Sequence, residues 1–362
     1  MATISRIVFW QPIASPHQEA FLESVARQFD GEVILAVERA LPADRRAQGW
    51  RMANHTHVNV VDISIPANHA AVAAHADASS LHVFSGFFSH RLVWAGFRRL
   101  APSPARLVIF SEAPEQPWAT GWIKRLRGRV LAARWARRFA FVLAIGGVGC
   151  EFFSGIGFPE NKIVPFGYFL DVPPPAAAGA GRADDRVVRF VSAGQLITRK
   201  GVDLLVEACA QVPAQGWTLD IFGDGPQRAR LERRVVGLGL ADRVRFRGAV
   251  PGDVLQGELA TFDRAILPSR FDGWGMLASE ALAAGTPVIC TNACGAATLV
   301  AEGPDNRVVA AGCVNLLAQA IADAVAAGPV PQEDRAAVRG VWECKGSAPV
   351  AAARFLRAVS RG

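Results

Sequence analysis

The sequence predicts an α/β chain built as two Rossmann-like domains, each a doubly wound parallel sheet. Three observations predict it. Short β-rich apolar runs alternate with longer helical stretches from end to end, the rhythm of strands joined by crossover helices. That rhythm breaks once, at residues 172–185, where Pro, Gly and Ala follow one another without periodicity, and then it restarts. The length of 362 residues gives each side of the break enough chain to bury a core of its own.

In the first half the β-rich runs predict strands at residues 6–10, 32–37, 58–63, 81–84, 106–110, 141–145 and 162–165. Helical patterns fall between them at 17–29, 90–100 and 123–139. Pro16 followed by His17 reads as the first turn of a helix that Ser15 caps. After the break, strands are predicted at 187–191, 218–222, 243–246, 264–267, 287–290 and 307–310, with helices at 202–212, 226–237 and 276–284. The domains expected are 1–171, a linker 172–185, and 186–345, followed by a C-terminal helix at 346–362 that could cross back to the first domain. Sheets of this kind bind ligands beyond the carboxyl ends of their strands, and two of them facing each other would offer a cleft.

The composition, 51% apolar and 20% charged, is that of a soluble globular protein. No apolar run reaches the length of about eighteen residues needed to span a bilayer. Met1 leads straight to the strand-like run at Ile7 without a basic start, apolar stretch or cleavage site, so export is not expected. The six cysteines are scattered, and no His or Cys cluster completes a zinc site around Cys290 and Cys294. They read as buried or incidental thiols of a cytoplasmic protein. The net charge of +7 is uneven: between Arg91 and Arg138 stand eleven basic residues against Glu112 and Glu115. Such an excess suits an anionic partner, either a phospholipid surface or a phosphorylated substrate. A solvated helix packing its aliphatic stems on the sheet is the alternative. No nucleic-acid module accompanies the charge.

Three segments stand where strands of the second half should end. In the first, a strand runs out near Gly194, a loop carries Arg199 and Lys200, and a helix begins near Val202. Two cations beside a helix N-terminus make a seat for a diphosphate, or else a solvated basic loop. The second, Gly223-Asp224-Gly225-Pro226, is a tight turn whose glycines let a ligand approach the backbone. In the third, a strand ends at Pro268 and the loop Gly273-Trp274-Gly275 opens into a helix that stops at Gly285-Thr286-Pro287. That loop presents bare N–H groups to an anion. Glu280, set among Leu277, Ala281, Leu282 and Ala284, would need hydrogen-bond partners, and a ribose diol would supply two; a solvent-facing position is the other reading.

These motifs, in this order, resemble the nucleotide-sugar domain of family 4 retaining glycosyltransferases. The likeness runs from about Arg186 to Val300 through Gly194, Lys200-Gly201-Val202-Asp203-Leu204-Leu205, the Gly223–Pro226 turn, Val244-Arg245-Phe246-Arg247-Gly248, Pro268-Ser269, the Gly273–Gly275 loop and Glu280 to Pro287. The first half resembles that family only in rhythm and in the weak segment from Gly157 to Asp171. The resemblance implies the GT-B fold and transfer of a sugar from a nucleotide diphosphate-sugar to a hydroxyl with retained anomeric configuration.

The resemblance also implies roles. Lys200 would neutralise the diphosphate as the glycosidic bond breaks. Asp272, where the family usually has Glu, would contact hydroxyls of the transferred sugar, and Glu280 would hold the ribose. Gln195 stands where the family usually has Arg, and Arg199 could supply that charge. Glu112 stands where the family often has His, as a hydrogen-bond acceptor for the donor sugar or for an acceptor hydroxyl, or else as an ordinary loop acid. His17, beside the loop after the first strand, could meet phosphate or acceptor, or have no chemical role. The donor-binding set so implied is Gln195, Arg199, Lys200, Gly223, Arg247, Asp272, Gly273, Trp274, Gly275, Met276 and Glu280; the catalytic set is Lys200, Asp272, Glu112 and His17. No metal and no cofactor beyond the nucleotide sugar is implied. The acceptor would be a saccharide or a lipid-linked sugar in bacterial cell-surface polysaccharide or glycolipid synthesis, reached from the cytoplasm or from the inner face of the membrane through residues 91–138. Two other functions fit the same fold: a sugar-nucleotide epimerase, which acts on donor alone, and a binding protein that has lost the chemistry.

Overall fold

The structure is a computed structural model, and it describes residues 3–39, 53–86, 90–115, 121–170 and 186–361. The expected linker at 172–185 lies outside the described residues. The chain separates into two compact units, and the segment from Ser347 onward belongs to the first of them.

Among the described residues the first unit holds seven strands: β1 (Arg6–Ile13), β2 (Glu32–Arg39), β3 (Asn59–Asp62), β4 (Ser80–Ser85), β5 (Arg106–Glu112), β6 (Phe139–Ile145) and β7 (Ile163–Phe166). All pair in parallel, in the order β3-β2-β1-β4-β5-β6-β7. Ile7, Val8, Phe9 and Trp10 in β1 and Val33, Ile34, Leu35 and Ala36 in β2 are all buried. Strands covered on both faces must be apolar on both, which is why these runs do not alternate. Helices Pro16–Gln28 and Arg91–Leu100 lie where the pattern put them to within a residue at each end, and Pro66–Ala73, Gly121–Trp135 and Gly146–Gly155 form further crossovers. The C-terminal helix Ala348–Arg361 packs on Pro16–Gln28, with Phe355 against Phe9 and Phe21.

The second unit holds β8 (Val188–Ala193), β9 (Trp217–Phe222), β10 (Val244–Gly248), β11 (Arg264–Leu267), β12 (Val288–Thr291) and β13 (Arg307–Val309). They too are parallel, in the order β10-β9-β8-β11-β12-β13. In both sheets the chain winds outward from a central strand and then returns to wind the other way. The crevice where it reverses lies between β1 and β4 in one unit and between β8 and β11 in the other. The second core gathers Val188, Phe190, Leu205, Val206, Trp217, Leu219, Ile266 and Ile289 from strands and helices.

Three expectations are corrected. Ser15 does occupy the N-cap position, but its side chain makes no capping hydrogen bond. The helix expected to run to residue 139 ends at Trp135, and a 3-10 turn, Ala136–Arg138, leads into β6. Arg138 does not share a solvated basic face: it donates to the carbonyls of Ala101, Ser103 and Ala105 at 2.6, 2.7 and 2.7 Å, tying the turn before β5 to the turn before β6. No helix among the described residues is long and apolar enough to cross a membrane.

Candidate active site

The reversal point of the second sheet brings two loops together: the one after β8 and the one after β11. Between β8 and helix Val202–Cys209 a 3-10 turn, Thr198–Lys200, carries both predicted cations. It ends at Gly201, whose φ of 69° is left-handed. A Cβ there would lie 2.1 Å from the carbonyl oxygen of Pro268, so only glycine permits this approach of the two backbones. Arg270 and Phe271 donate their N–H groups to the Arg199 carbonyl at 2.8 and 3.4 Å.

Side chains complete the join. Lys200 Nζ donates to Asp272 Oδ2 at 2.6 Å, and Arg199 Nη1 stands 3.8 Å from Asp272 Oδ1. Arg199 Nη1 also donates to the Phe271 carbonyl at 3.0 Å. Asp272 is buried, while the two cations keep about a quarter of their side-chain surface in solvent, 22% for Lys200 and 27% for Arg199. The Asp272 backbone bridges Cys294: its N–H goes to the Ala293 carbonyl at 2.9 Å, and its own carbonyl accepts the Gly295 N–H at 3.0 Å. The acid is therefore fixed at both ends, and the charges it holds are poised at a solvent boundary.

Gly273, Trp274 and Gly275 follow. Gly275, at φ 92°, is the N-cap of the helix Met276–Ala283. Its backbone comes close to Asp272 Oδ2, which would lie 3.8 Å from a Cβ there, so the carboxylate sits beside the positive end of that helix. Trp274 is buried, with Nε1 donating to Ser279 Oγ at 2.9 Å. Glu280 is buried one turn further on, which excludes the solvent-facing reading. Burial pushes its carboxyl above the ordinary glutamate range, against the opposing effect of the Gln256 amide that donates to Oε1 at 3.3 Å.

The other predicted donor residues line the same carboxyl edge. Gln195 is half-buried in the turn after β8, and Ile197 N–H donates to its carbonyl at 2.9 Å. Gly194 N–H donates to the Phe222 carbonyl at the end of β9, and Gly223 N–H to that of Gly248 at the end of β10. Arg247 is exposed, with its guanidinium 5.9 Å from the centre of the Phe222 ring. His17 and Glu112 belong to the first unit. His17 is half-buried in the first turn after β1, at that sheet's own reversal point. Glu112 is the last residue of β5 and hydrogen-bonds the Tyr168 hydroxyl; burial, with the charge and hydrogen bond of Glu112, holds Tyr168 well above the usual tyrosine range.

Sequence reasoning passed over Arg270. Its guanidinium grips both oxygens of Asp203 at 2.7 Å and donates to the Thr198 carbonyl at 2.8 Å, so one side chain clamps the two loops. Burial works to raise the Asp203 pKa, but the Arg270 hydrogen bonds and charge outweigh it and leave it lowered. A signal was present: an acid three residues after Lys200 and a base two residues before Asp272 are complementary charges on the two motif loops. Gln256, too, carried no motif. As an assembly, the loops offer two cations, a helix N-terminus and a buried carboxylate at one sheet edge. That combination can neutralise a diphosphate and accept hydrogen bonds from a diol.

The sequence model for "Glycosyl transferases group 1" matches residues 187–327. The 2-deoxystreptamine glucosyltransferase of Streptomyces kanamyceticus is 34% identical over 137 residues, which are 37% of this chain and 35% of that protein. The lipopolysaccharide core biosynthesis glycosyltransferase LpsE of Rhizobium meliloti is 35% identical over 144 residues, 40% of this chain and 41% of that one. The chain thus matches well under half the length of these relatives. Over 99% of this chain and 100% of the other, the fold agrees with the Anabaena protein HepE, solved in complex with UDP, at a TM-score of 0.74 and 17% identity. The chain therefore has the GT-B fold of two Rossmann-like units, and its residues 187–327 match the sequence model of the group 1 glycosyl transferases.

Proposed function

We propose that this protein is a family 4 retaining, metal-independent glycosyltransferase, moving a sugar from a nucleotide diphosphate-sugar to a hydroxyl of a saccharide or lipid-linked acceptor in cytoplasmic synthesis of cell-surface polysaccharide or glycolipid. The observation that carries the reading is the junction of Arg199, Lys200 and Asp272 with the helix that Gly275 opens, at the reversal point of the second sheet. The names of the matched relatives, which are sugar transferases, support it.

In this reading Lys200 and Arg199 take the diphosphate charge, helped by Gln195, Gly223 and Arg247 along the strand ends. The N–H groups of Gly273, Trp274, Gly275 and Met276 face the phosphate or the sugar. Asp272 accepts hydrogen bonds from sugar hydroxyls, and Glu280 accepts them from the ribose. As the bond from the anomeric carbon to the phosphate oxygen breaks, the electron pair stays on that oxygen and Lys200 stabilises it. The acceptor oxygen forms its bond on the same face, and its proton passes to the departing phosphate, so configuration is retained without a protein nucleophile. Glu112 accepts a hydrogen bond from the donor sugar or an acceptor hydroxyl, and His17 meets phosphate or acceptor.

The test is to incubate the protein with nucleotide sugars and a hydroxyl acceptor and read the product's anomeric carbon by NMR. A glycoside with the donor's configuration is expected; an inverted product would reject the retaining step. Donor incubated alone should give no isomer, and conversion to one would favour the epimerase reading.

A further inference from the structure

The helix Gly121–Trp135 presents its large apolar side chains to solvent. Trp122, Ile123, Leu126 and Val130 are 63%, 50%, 54% and 62% exposed. At 3.6 residues per turn these four fall within about 100° of the helix circumference. The helix packs on its unit through small residues instead: Gly121, Gly128 and Ala132 are the buried ones, and a Cβ at Gly128 would touch Ile156 at 3.0 Å. The usual amphipathic order is therefore reversed. What faces outward is an apolar stripe of a kind that isolated surface residues do not make.

Cations border that stripe on both sides, and the helix has no acid. Arg125 and Arg129 run along one edge, Arg127 and Arg134 along the other, with Lys124 beyond them. The Arg134 guanidinium lies over the Trp135 ring at 4.9 Å, and Trp135 in turn meets Trp94 and Phe97 of helix Arg91–Leu100 at 6.2 and 5.2 Å. That contact joins the C-terminal end of the helix to Arg91–Leu100, which carries the exposed Arg91, Arg98 and Arg99.

We infer that Trp122, Ile123, Leu126 and Val130, with their flanking cations, form a docking surface for an anionic lipid bilayer. A helix lying in the plane of an interface needs this pairing: an outward apolar stripe to enter the acyl boundary, and Lys and Arg at its edges to meet anionic headgroups. A second copy of the chain fits less well, because a two-fold contact through the stripe would press equal rows of cations together. A nucleic acid would use the cations and leave the apolar stripe unexplained. The surface carries no residue assigned to the donor site, so it stands or falls separately from the proposed reaction.

The experiment is flotation of the full chain with vesicles of phosphatidylcholine alone and with vesicles containing roughly a third phosphatidylglycerol. Binding to the mixed vesicles only is expected, and it should weaken in high salt. Trp122→Ser combined with Leu126→Ser should cut vesicle affinity about tenfold or more, since both side chains would leave the acyl boundary. Arg125→Gln with Arg129→Gln should cut it several-fold. Both variants should melt where the wild type does, because all four side chains are exposed. Failure to bind mixed vesicles, or full binding by the serine variant, would overturn the proposal. So would a lipid-free dimer that Leu126→Ser dissociates.

Discussion

Replacing Asp272 with Asn should tighten binding of a free nucleoside diphosphate while slowing sugar transfer. Asp272 holds Lys200 at 2.6 Å and has Arg199 3.8 Å from its other oxygen, so its carboxylate competes with a diphosphate for the same two cations. For a diphosphate bound on these cations with its charge on the order of 5 Å from the carboxylate, removing one negative charge is worth about 1–3 kcal/mol, between the limits of bulk water and an effective dielectric of about 20. That corresponds to roughly five- to a hundredfold tighter binding. The fold should tolerate the change: both cations keep solvent contact, and losing a partly exposed pair costs about 1 kcal/mol, or about 2–4 °C for a unit of this size. Transfer should nevertheless fall, because the amide is a poorer acceptor for sugar hydroxyls. Titration calorimetry with UDP, GDP, ADP and dTDP, on wild type and variant, measures the first effect. Unchanged or weaker affinity in Asp272→Asn, with the fold intact, would refute the competition argument.

Three further outcomes are expected. Glu280→Gln should stabilise the protein at neutral pH yet weaken nucleotide binding. Burial raises the folded-state pKa of Glu280 above its unfolded value, so this carboxyl favours the fold when protonated and costs stability as pH climbs past the ordinary glutamate range. The variant's melting temperature should therefore exceed the wild type's at neutral pH and converge with it in acid; equal melting temperatures at all pH values would count against the burial cost. Asp203 has the opposite sign: its lowered pKa gives stability that is present at neutral pH and lost as pH falls below the ordinary aspartate range. Asp203→Asn should thus lower the melting temperature near neutrality and flatten its acid-side decline, and an unaltered decline would reject the role of the Arg270 clamp. Gly201→Ala forces a Cβ against the Pro268 carbonyl at 2.1 Å and strains a left-handed φ, so a loss of about 1–3 kcal/mol is expected in denaturant melts. A neutral substitution there would mean that the two loops need not approach.

The strands were legible because a parallel sheet covered on both faces demands continuous apolar runs, as in Ile7–Trp10 and Val33–Ala36. The motif loops were legible because Lys200, the Gly273–Gly275 turn and Glu280 stand in the order on which the family resemblance rests. What lay beyond the sequence was adjacency across the sheet. Arg270 and Asp203 are 67 residues apart, and they meet only because β8 and β11 are neighbours at the reversal point. Gln256 reaches Glu280 for a similar reason, since neither periodicity nor motif links their helices. The helix Gly121–Trp135 was hardest to read. Its buried face is glycine and alanine, so a rule that turns large apolar residues inward points it the wrong way.

The central claim is that the carboxyl edge of the second sheet grips a nucleoside diphosphate through Lys200. The most direct test is a thermal-shift screen of UDP-, GDP-, dTDP- and ADP-sugars against wild type and Lys200→Ala. At a hundred times its dissociation constant the true donor adds about 2.7 kcal/mol to the folded state. One donor should therefore raise the wild-type melting temperature by several degrees, and much less in Lys200→Ala, whose own fold should remain intact. No shift with any nucleotide sugar at millimolar concentration, or an equal shift in both proteins, would contradict the account.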